Sequence, residues 1–141
     1  MARVQLALNV SDLDTAVDFY TKLFGTGPAK VRPGYANFAV ADPPLKLVLI
    51  EGGGTPGSLN HLGVEVPTSA EVAATQRRLT GLGFELAVED DVECCFARQD
   101  KVWVDGPGGE PWEVYAVLAD SDVAGCLTPS GDQPTTSPCC A

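Results

Sequence analysis

The sequence has 141 residues, 45% of them hydrophobic and 20% charged, with 19 acidic against 9 basic residues and a formal net charge of −10. That length supports one compact domain with a real core and excludes two independent ones, and the acidic balance excludes nucleic acid and anionic membrane surfaces, which demand clustered Lys and Arg. No apolar run nears the ~20 residues that cross a bilayer, and MARVQLALNV is too short and broken for a signal peptide, so a cytoplasmic protein is expected.

Period-2 alternation predicts a strand over RVQLALNV (3–10), with Val4, Leu6, Leu8 and Val10 on one face and Gln5, Ala7 and Asn9 on the other. SDLDTAVDFYTKLFG follows as a helix. Ser11 is its expected N-cap, Leu13, Val17, Tyr20 and Phe24 form its apolar stripe, and Gly25 ends it. YANFAV (35–40) and LKLVLIE (45–51) read as strands joined by the turn ADPP, and GGGTPG (52–57) is a flexible break.

After that break the pattern restarts. NHLGVEV is a strand, TSAEVAATQRRLTGLG is a helix ending at a glycine, and further strands close with PWEVYAV behind the turn DGPGGE. The step that carries Gln5 onto His61 also carries Val10 onto Val66 and Gly25 onto Gly81, so a βαβββ unit is written twice. LKLVLIE matches PWEVYAV only at a longer step, which leaves about ten extra residues between Phe84 and Lys101, and long loops inside compact domains are disproportionately functional. The expected organisation is a domain over 1–118, with modules near 1–51 and 58–118 around a linker at 52–57, then a disordered Pro/Ser/Thr-rich tail over 119–141.

The cysteines are Cys94, Cys95, Cys126, Cys139 and Cys140, an odd set without C-x-x-C spacing, which argues against a disulfide framework and a structural zinc site. Cys94 and Cys95 fall inside the insertion, in VEDDVECCFARQDKVW. A bridge between neighbours closes a strained ring, so a structural disulfide is disfavoured. Paired thiolates are soft ligands that suit trivalent arsenic, and a monoalkyl or monoaryl As(III) offers two exchangeable positions for two sulfurs. The competing reading is a chance pair on a surface loop. Glu89, Asp90, Asp91 and Glu93 nearby are expected to raise the thiol pKa values.

His61 is the one histidine, Gln5 is its counterpart in the first module, and Glu113 shares a strand face with Tyr115 opposite Trp112 and Val114. Gln, His and carboxylate together suit Fe(II), Mn(II) or Ni(II). Taken singly, each has a plainer reading: a hydrogen-bonded structural His, a Gln on an edge or solvent face, an exposed Glu.

The paired modules, opened in the second copy by NHLGVEV and closed by DGPGGEPWEVY, resemble the vicinal oxygen chelate superfamily over residues 3 to about 118. The resemblance implies an α+β fold in which tandem βαβββ modules form a curved mixed β-sheet around a metal cavity. It implies metal ligands from the first strand of each module and from the last strand: Gln5, His61 and Glu113. Glyoxalase-like members add a carboxylate where this chain has Leu47, with Glu51 further along that strand. Ring-cleaving dioxygenases present a His where this chain has Gln5, which disfavours catechol-type substrates.

With Cys94 and Cys95 added, the set is similar to the Fe(II)-dependent carbon–arsenic lyases and the cadmium-induced proteins of bacterial metal-resistance operons. That similarity implies capture of methylarsenite or a trivalent aromatic arsenical by Cys94 and Cys95, and its O2-dependent cleavage to inorganic arsenite at Fe(II), a site that Ni(II), Co(II), Mn(II) or Cd(II) can also occupy. It implies a small-molecule partner, no nucleic acid or membrane, and a monomer or homodimer. The alternatives are a thiol-based Cd(II)/As(III) binding protein, or a glyoxalase- or extradiol-type metalloenzyme that does not use the cysteines.

Overall fold

The computed structural model describes residues 2–121, and Cys126, Cys139, Cys140 and most of the expected tail lie outside that range. The elements run β1 (Arg3–Val10), α1 (Leu13–Phe24), β2 (Lys30–Arg32), β3 (Tyr35–Val40), β4 (Leu45–Glu51), β5 (Leu59–Glu65), α2 (Ser69–Gly81), β6 (Ala87–Cys94), β7 (Ala97–Asp105) and β8 (Pro111–Asp120). The βαβββ pattern therefore occurs twice, as the sequence implies, in an α+β chain. Among the described residues no helix is long and apolar enough to cross a membrane. The chain packs as two compact units, Arg3–Leu62 and a second built from Gly63 onward.

In the first unit β1 runs parallel to β4, with Gln5 opposite Lys46 and Leu6 opposite Leu47, and β3 pairs antiparallel with β4. The strand order is β2-β3-β4-β1, with the start of β5 beside β1. Helix α1 lays its apolar stripe on this sheet, where Tyr20 and Phe24 meet a core of Leu13, Ala36, Phe38, Leu47 and Leu49. Its N-cap is Asp12 rather than the expected Ser11, because the Asp12 carboxylate accepts from Thr15 N at 3.0 Å. Glu51 adds a second carboxylate at the same end, accepting from Leu13 N at 2.8 Å. Gly25 closes the helix at φ 68, a left-handed conformation that glycine adopts without strain. The three-residue β2, paired with β3, is too short to show an alternation in the sequence.

Both faces of β1 are covered: Leu6, Leu8 and Val10 pack against the core beneath α1, as the alternation implies. Gln5, Ala7 and Asn9 are the buried residues, and Val4 on the other face is 46% exposed. Gln5 is thus neither at an edge nor in solvent.

In the second unit the end of β5 lies beside β8, followed by β7 and β6. Thr68 and Glu71 form a reciprocal capping box at the start of α2, and the core gathers Val72, Val102 and Ala116 with Val66, Leu86 and Val114. Gly81 is the last helical residue, and Leu82 is the C-cap in a right-handed conformation, so this end differs from the Gly25 end of α1. The extra residues between Phe84 and Lys101 are not a loose loop. They lengthen an antiparallel β6–β7 hairpin, interrupted by a bulge between Glu89 and Val92. The acidic run EDDVE hides this strand from a period-2 reading, because both of its faces carry charge.

Candidate functional site

In the first unit, Gln5 and His61 are both buried, at 3% and 1% exposure, and their side chains meet with Gln5 Nε2 3.1 Å from His61 Nε2. The other ring nitrogen, Nδ1, is 2.8 Å from Asn60 Oδ1. An amide oxygen only accepts, so Nδ1 donates to it, which leaves Nε2 as the ring nitrogen able to accept from the Gln5 N–H. A neutral imidazole with its second nitrogen hydrogen-bonded is the usual state of a metal-ligating histidine. The Gln5 amide can turn its oxygen, in place of its N–H, toward the same space. These two side chains therefore fit the neutral half of a divalent-metal donor set.

In the second unit, β8 turns Glu113 and Tyr115 to its buried face, as the alternation of PWEVYAV implies. The Glu113 carboxylate accepts from Lys101 Nζ at 2.8 Å, with both side chains sealed from solvent. Lys101 Nζ also sits 5.3 Å from the ring centre of Trp103 and 5.6 Å from that of Tyr115, within cation–π range. Burial opposes the ammonium charge, but attraction to Glu113 and then Cys94, the Glu113 hydrogen bond and Glu89 outweigh it, so the Lys101 pKa lies above its ordinary value. Glu113 is thus an ionised, desolvated carboxylate, a hard oxygen donor now matched by an ammonium. A divalent ion could take over that role. Among the described residues no three His, Cys, Asp or Glu side chains cluster as a metal-holding group.

The alternative carboxylate is engaged elsewhere. Leu47 is core, and Glu51 accepts from Leu13 N at the start of α1.

Cys94 ends β6 and Cys95 starts the turn to β7. Cys94 is buried rather than held out in solvent, and Cys95 is half-buried. Cys94 pairs with Ala97 across the hairpin, so Cys95 and Phe96 form a two-residue turn. Both adopt left-handed backbone, φ 51 and 63, where non-glycine residues are uncommon. The two sulfurs stand 3.6 Å apart, in contact but not bonded to each other; Cys94 is a free thiol and Cys95 is disulfide-bonded. Three of the four acidic neighbours that the sequence sets against thiolate formation are engaged: Glu89 with Trp103, Asp91 with Arg98, Glu93 with Ser121. The charge that Cys94 meets includes the Lys101 ammonium.

Several polar residues at these positions escape a sequence reading. Gln99 donates to the Cys94 carbonyl at 2.7 Å, while its buried Oε1 has no hydrogen-bond partner. Lys101, Asn9 and Asn60 are the others. The one available signal is the alternation Gln99, Lys101, Trp103 along β7, which sets polar and aromatic residues on a single buried face.

A model of the Glyoxalase/Bleomycin resistance protein/Dioxygenase superfamily matches residues 3–114. The chain is 61% identical over 136 residues to a trivalent organoarsenical cleaving enzyme of Thermomonospora curvata, covering 92% of this chain and 90% of that protein. It is 64% identical over 125 residues to the cadmium-induced protein CadI of Mycobacterium tuberculosis, covering 89% and 82%. Among solved structures, the Mn(II)-bound glyoxalase of Novosphingobium aromaticivorans superposes with a TM-score of 0.60 at 19% identity, over 89% of this chain and 41% of that one.

Proposed function

Because the chain belongs to the Glyoxalase/Bleomycin resistance protein/Dioxygenase superfamily, we propose that it breaks the carbon–arsenic bond of trivalent organoarsenicals, methylarsenite or a trivalent aromatic arsenical, using O2 as co-substrate and Fe(II) as cofactor. The observation that carries this reading is the Cys94–Cys95 pair, with sulfurs in contact on a tight hairpin turn, in a chain so similar to an organoarsenical cleaving enzyme. A glyoxalase-type reaction gives such a pair no task.

The residues divide the labour. Once an external thiol reductant has opened the Cys95 disulfide, Cys94 and Cys95 exchange their protons for bonds to arsenic and hold the substrate, a gain in effective concentration and orientation. Gln5, His61 and Glu113 hold the metal through two neutral donors and one carboxylate, a set that leaves positions open for other ligands. Lys101 keeps the Glu113 carboxylate ionised and aimed before metal arrives. Fe(II), when bound, supplies the one-electron access to O2 that no side chain offers. For methylarsenite the atoms close without a further reductant: one oxygen atom of O2 ends on arsenic as arsenite and the other on carbon as formaldehyde.

The test is anaerobic loading with Fe(II) and methylarsenite, followed by admission of air and assay of inorganic arsenite. Arsenite that appears only after air, and only with Cys94 and Cys95 intact, supports the reading. Metal-dependent turnover that survives Cys94→Ser and Cys95→Ser points to a glyoxalase-type enzyme. Capture of Cd(II) or As(III) without any release points to a thiol-based binder.

A further inference from the structure

His61 stands at the end of a hydrogen-bond chain whose direction is fixed at its far end, within the first unit. The Thr55 carbonyl can only accept, so the Ser58 hydroxyl donates to it. The Ser58 oxygen then accepts from Asn9 Nδ2 at 2.9 Å, which turns Asn9 Oδ1 toward Asn60. Asn60 Nδ2 donates to that oxygen at 3.0 Å. The Asn60 amide is therefore held with its own oxygen toward His61 Nδ1, at 2.8 Å.

We propose that Asn9 is a positioning residue which, through Asn60, holds His61 in its Nδ1–H tautomer and so keeps Nε2, which Gln5 Nε2 approaches at 3.1 Å, as the accepting nitrogen that a divalent cation can bind. The metal consequence rests on the reading of His61 as a ligand; the tautomer does not. By itself an Asn60 amide could face His61 with its oxygen or, after a half-turn, with its NH2 group. The second orientation would demand an acceptor at Nδ1 and place the ring proton on Nε2, where it blocks coordination. Asn9 decides between the two because its own amide cannot turn without losing Ser58.

The segment that pins Asn9 is the glycine-rich GGGTPGS that joins the modules. Asn9 N donates to the Ser58 carbonyl at 2.9 Å, and Gly57 N donates to the Asn9 carbonyl at 2.8 Å. Gly54 lies flat against the Asn9 amide: a Cβ there would stand 2.8 Å from Asn9 Nδ2, too close for either group to stay. Glycine at 54 thus lets the segment close over Asn9, a role beyond that of a flexible joint.

The experiment uses the full-length metal-free protein, labelled with 15N-histidine and held at a pH above the imidazole range. Long-range proton–nitrogen spectra report which ring nitrogen carries hydrogen, and calorimetry with Mn(II) or Co(II) reports affinity. The wild type is expected to show the Nδ1–H tautomer. Asn9→Leu is expected to shift population to Nε2–H and weaken metal binding about 10–100-fold, the usual loss for a partner behind a ligating histidine. Adding Asn60→Asp to that variant supplies an acceptor that cannot present N–H, and is expected to restore the Nδ1–H tautomer without Asn9. Gly54→Ala retains every donor but displaces the Asn9 amide, and is expected to give the same shift in smaller measure should Asn9→Leu fold poorly. An Nε2–H wild type, or a tautomer indifferent to both Asn9→Leu and Gly54→Ala, overturns the proposal. A tautomer that follows Asn9 while no arsenite is ever released overturns the functional reading alone.

Discussion

Lys101 holds its charge where no surface remains to hydrate it, and Glu113 is its carboxylate partner. Such a pair roughly breaks even against apolar packing, but removing one member strands the other. Lys101→Met is therefore expected to destabilise the metal-free protein by about 3–5 kcal/mol in urea unfolding, and Lys101→Met with Glu113→Gln to recover much of that. A single-variant loss below about 1 kcal/mol would mean that water reaches the carboxylate. Because the Lys101 pKa is raised, the stability it contributes is present below its ordinary value and lost only as alkaline pH rises through the raised one. None of this is legible in the sequence, where a lysine in an alternating strand reads as the solvent side by default. Gln5, His61 and Glu113 were legible as polar residues on one strand face each, and all three are buried. Asn9 and Asn60 were not, since their meaning lies in partners distant along the chain.

The β6–β7 hairpin sets Cys95 at a backbone conformation that Asn tolerates better than Cys, φ 51. With the Cys95 disulfide reduced, Cys95→Asn is expected to leave unfolding stability within about 1 kcal/mol of wild type while abolishing tight methylarsenite capture by calorimetry, which separates the turn from its thiol. The stem has its own acid sensitivity. Asp100 accepts from Asp91 N at 2.7 Å across the bulge, and hydrogen bonds from Ser69 and Asp91, with Arg98 nearby, hold its carboxyl below the ordinary 3.8. A depressed carboxyl contributes stability above its unfolded pKa and loses it as pH falls through the folded value. Amide exchange at Asp91 is thus expected to be protected at neutral pH and to lose that protection below about pH 4; protection unchanged by acid would remove Asp100 as the clamp. The pieces missed at this scale share a cause. β2 spans only Lys30–Arg32, and the charges of β6 mask its alternation, whereas β1, α1 and β8 carry clean periods. The N-cap moved from Ser11 to Asp12 because both residue types cap well, and which one faces Thr15 N is a matter of backbone geometry.

For the whole molecule, metal and folding are linked, because an ion that binds only the native chain stabilises it. At an excess of about 100 Kd the increment is about 2.7 kcal/mol, and it should be lost in Gln5→Ala, His61→Ala and Glu113→Ala. The pattern among these variants carries more than any one of them. If a single ion uses all three side chains, double variants lose no more of the metal-dependent increment than single ones; if the residues serve separate sites, their losses add. Thermal unfolding with and without Mn(II) measures this directly. Lys101→Met supplies the converse: a divalent ion at Glu113 replaces the missing ammonium, so metal should stabilise that variant more than it stabilises wild type. The duplicated framework was readable because one step relates Gln5 to His61, Val10 to Val66 and Gly25 to Gly81 at once. What a step along the chain cannot encode is whether one cation satisfies donors from both copies, and equal, non-additive losses would be the signature that it does.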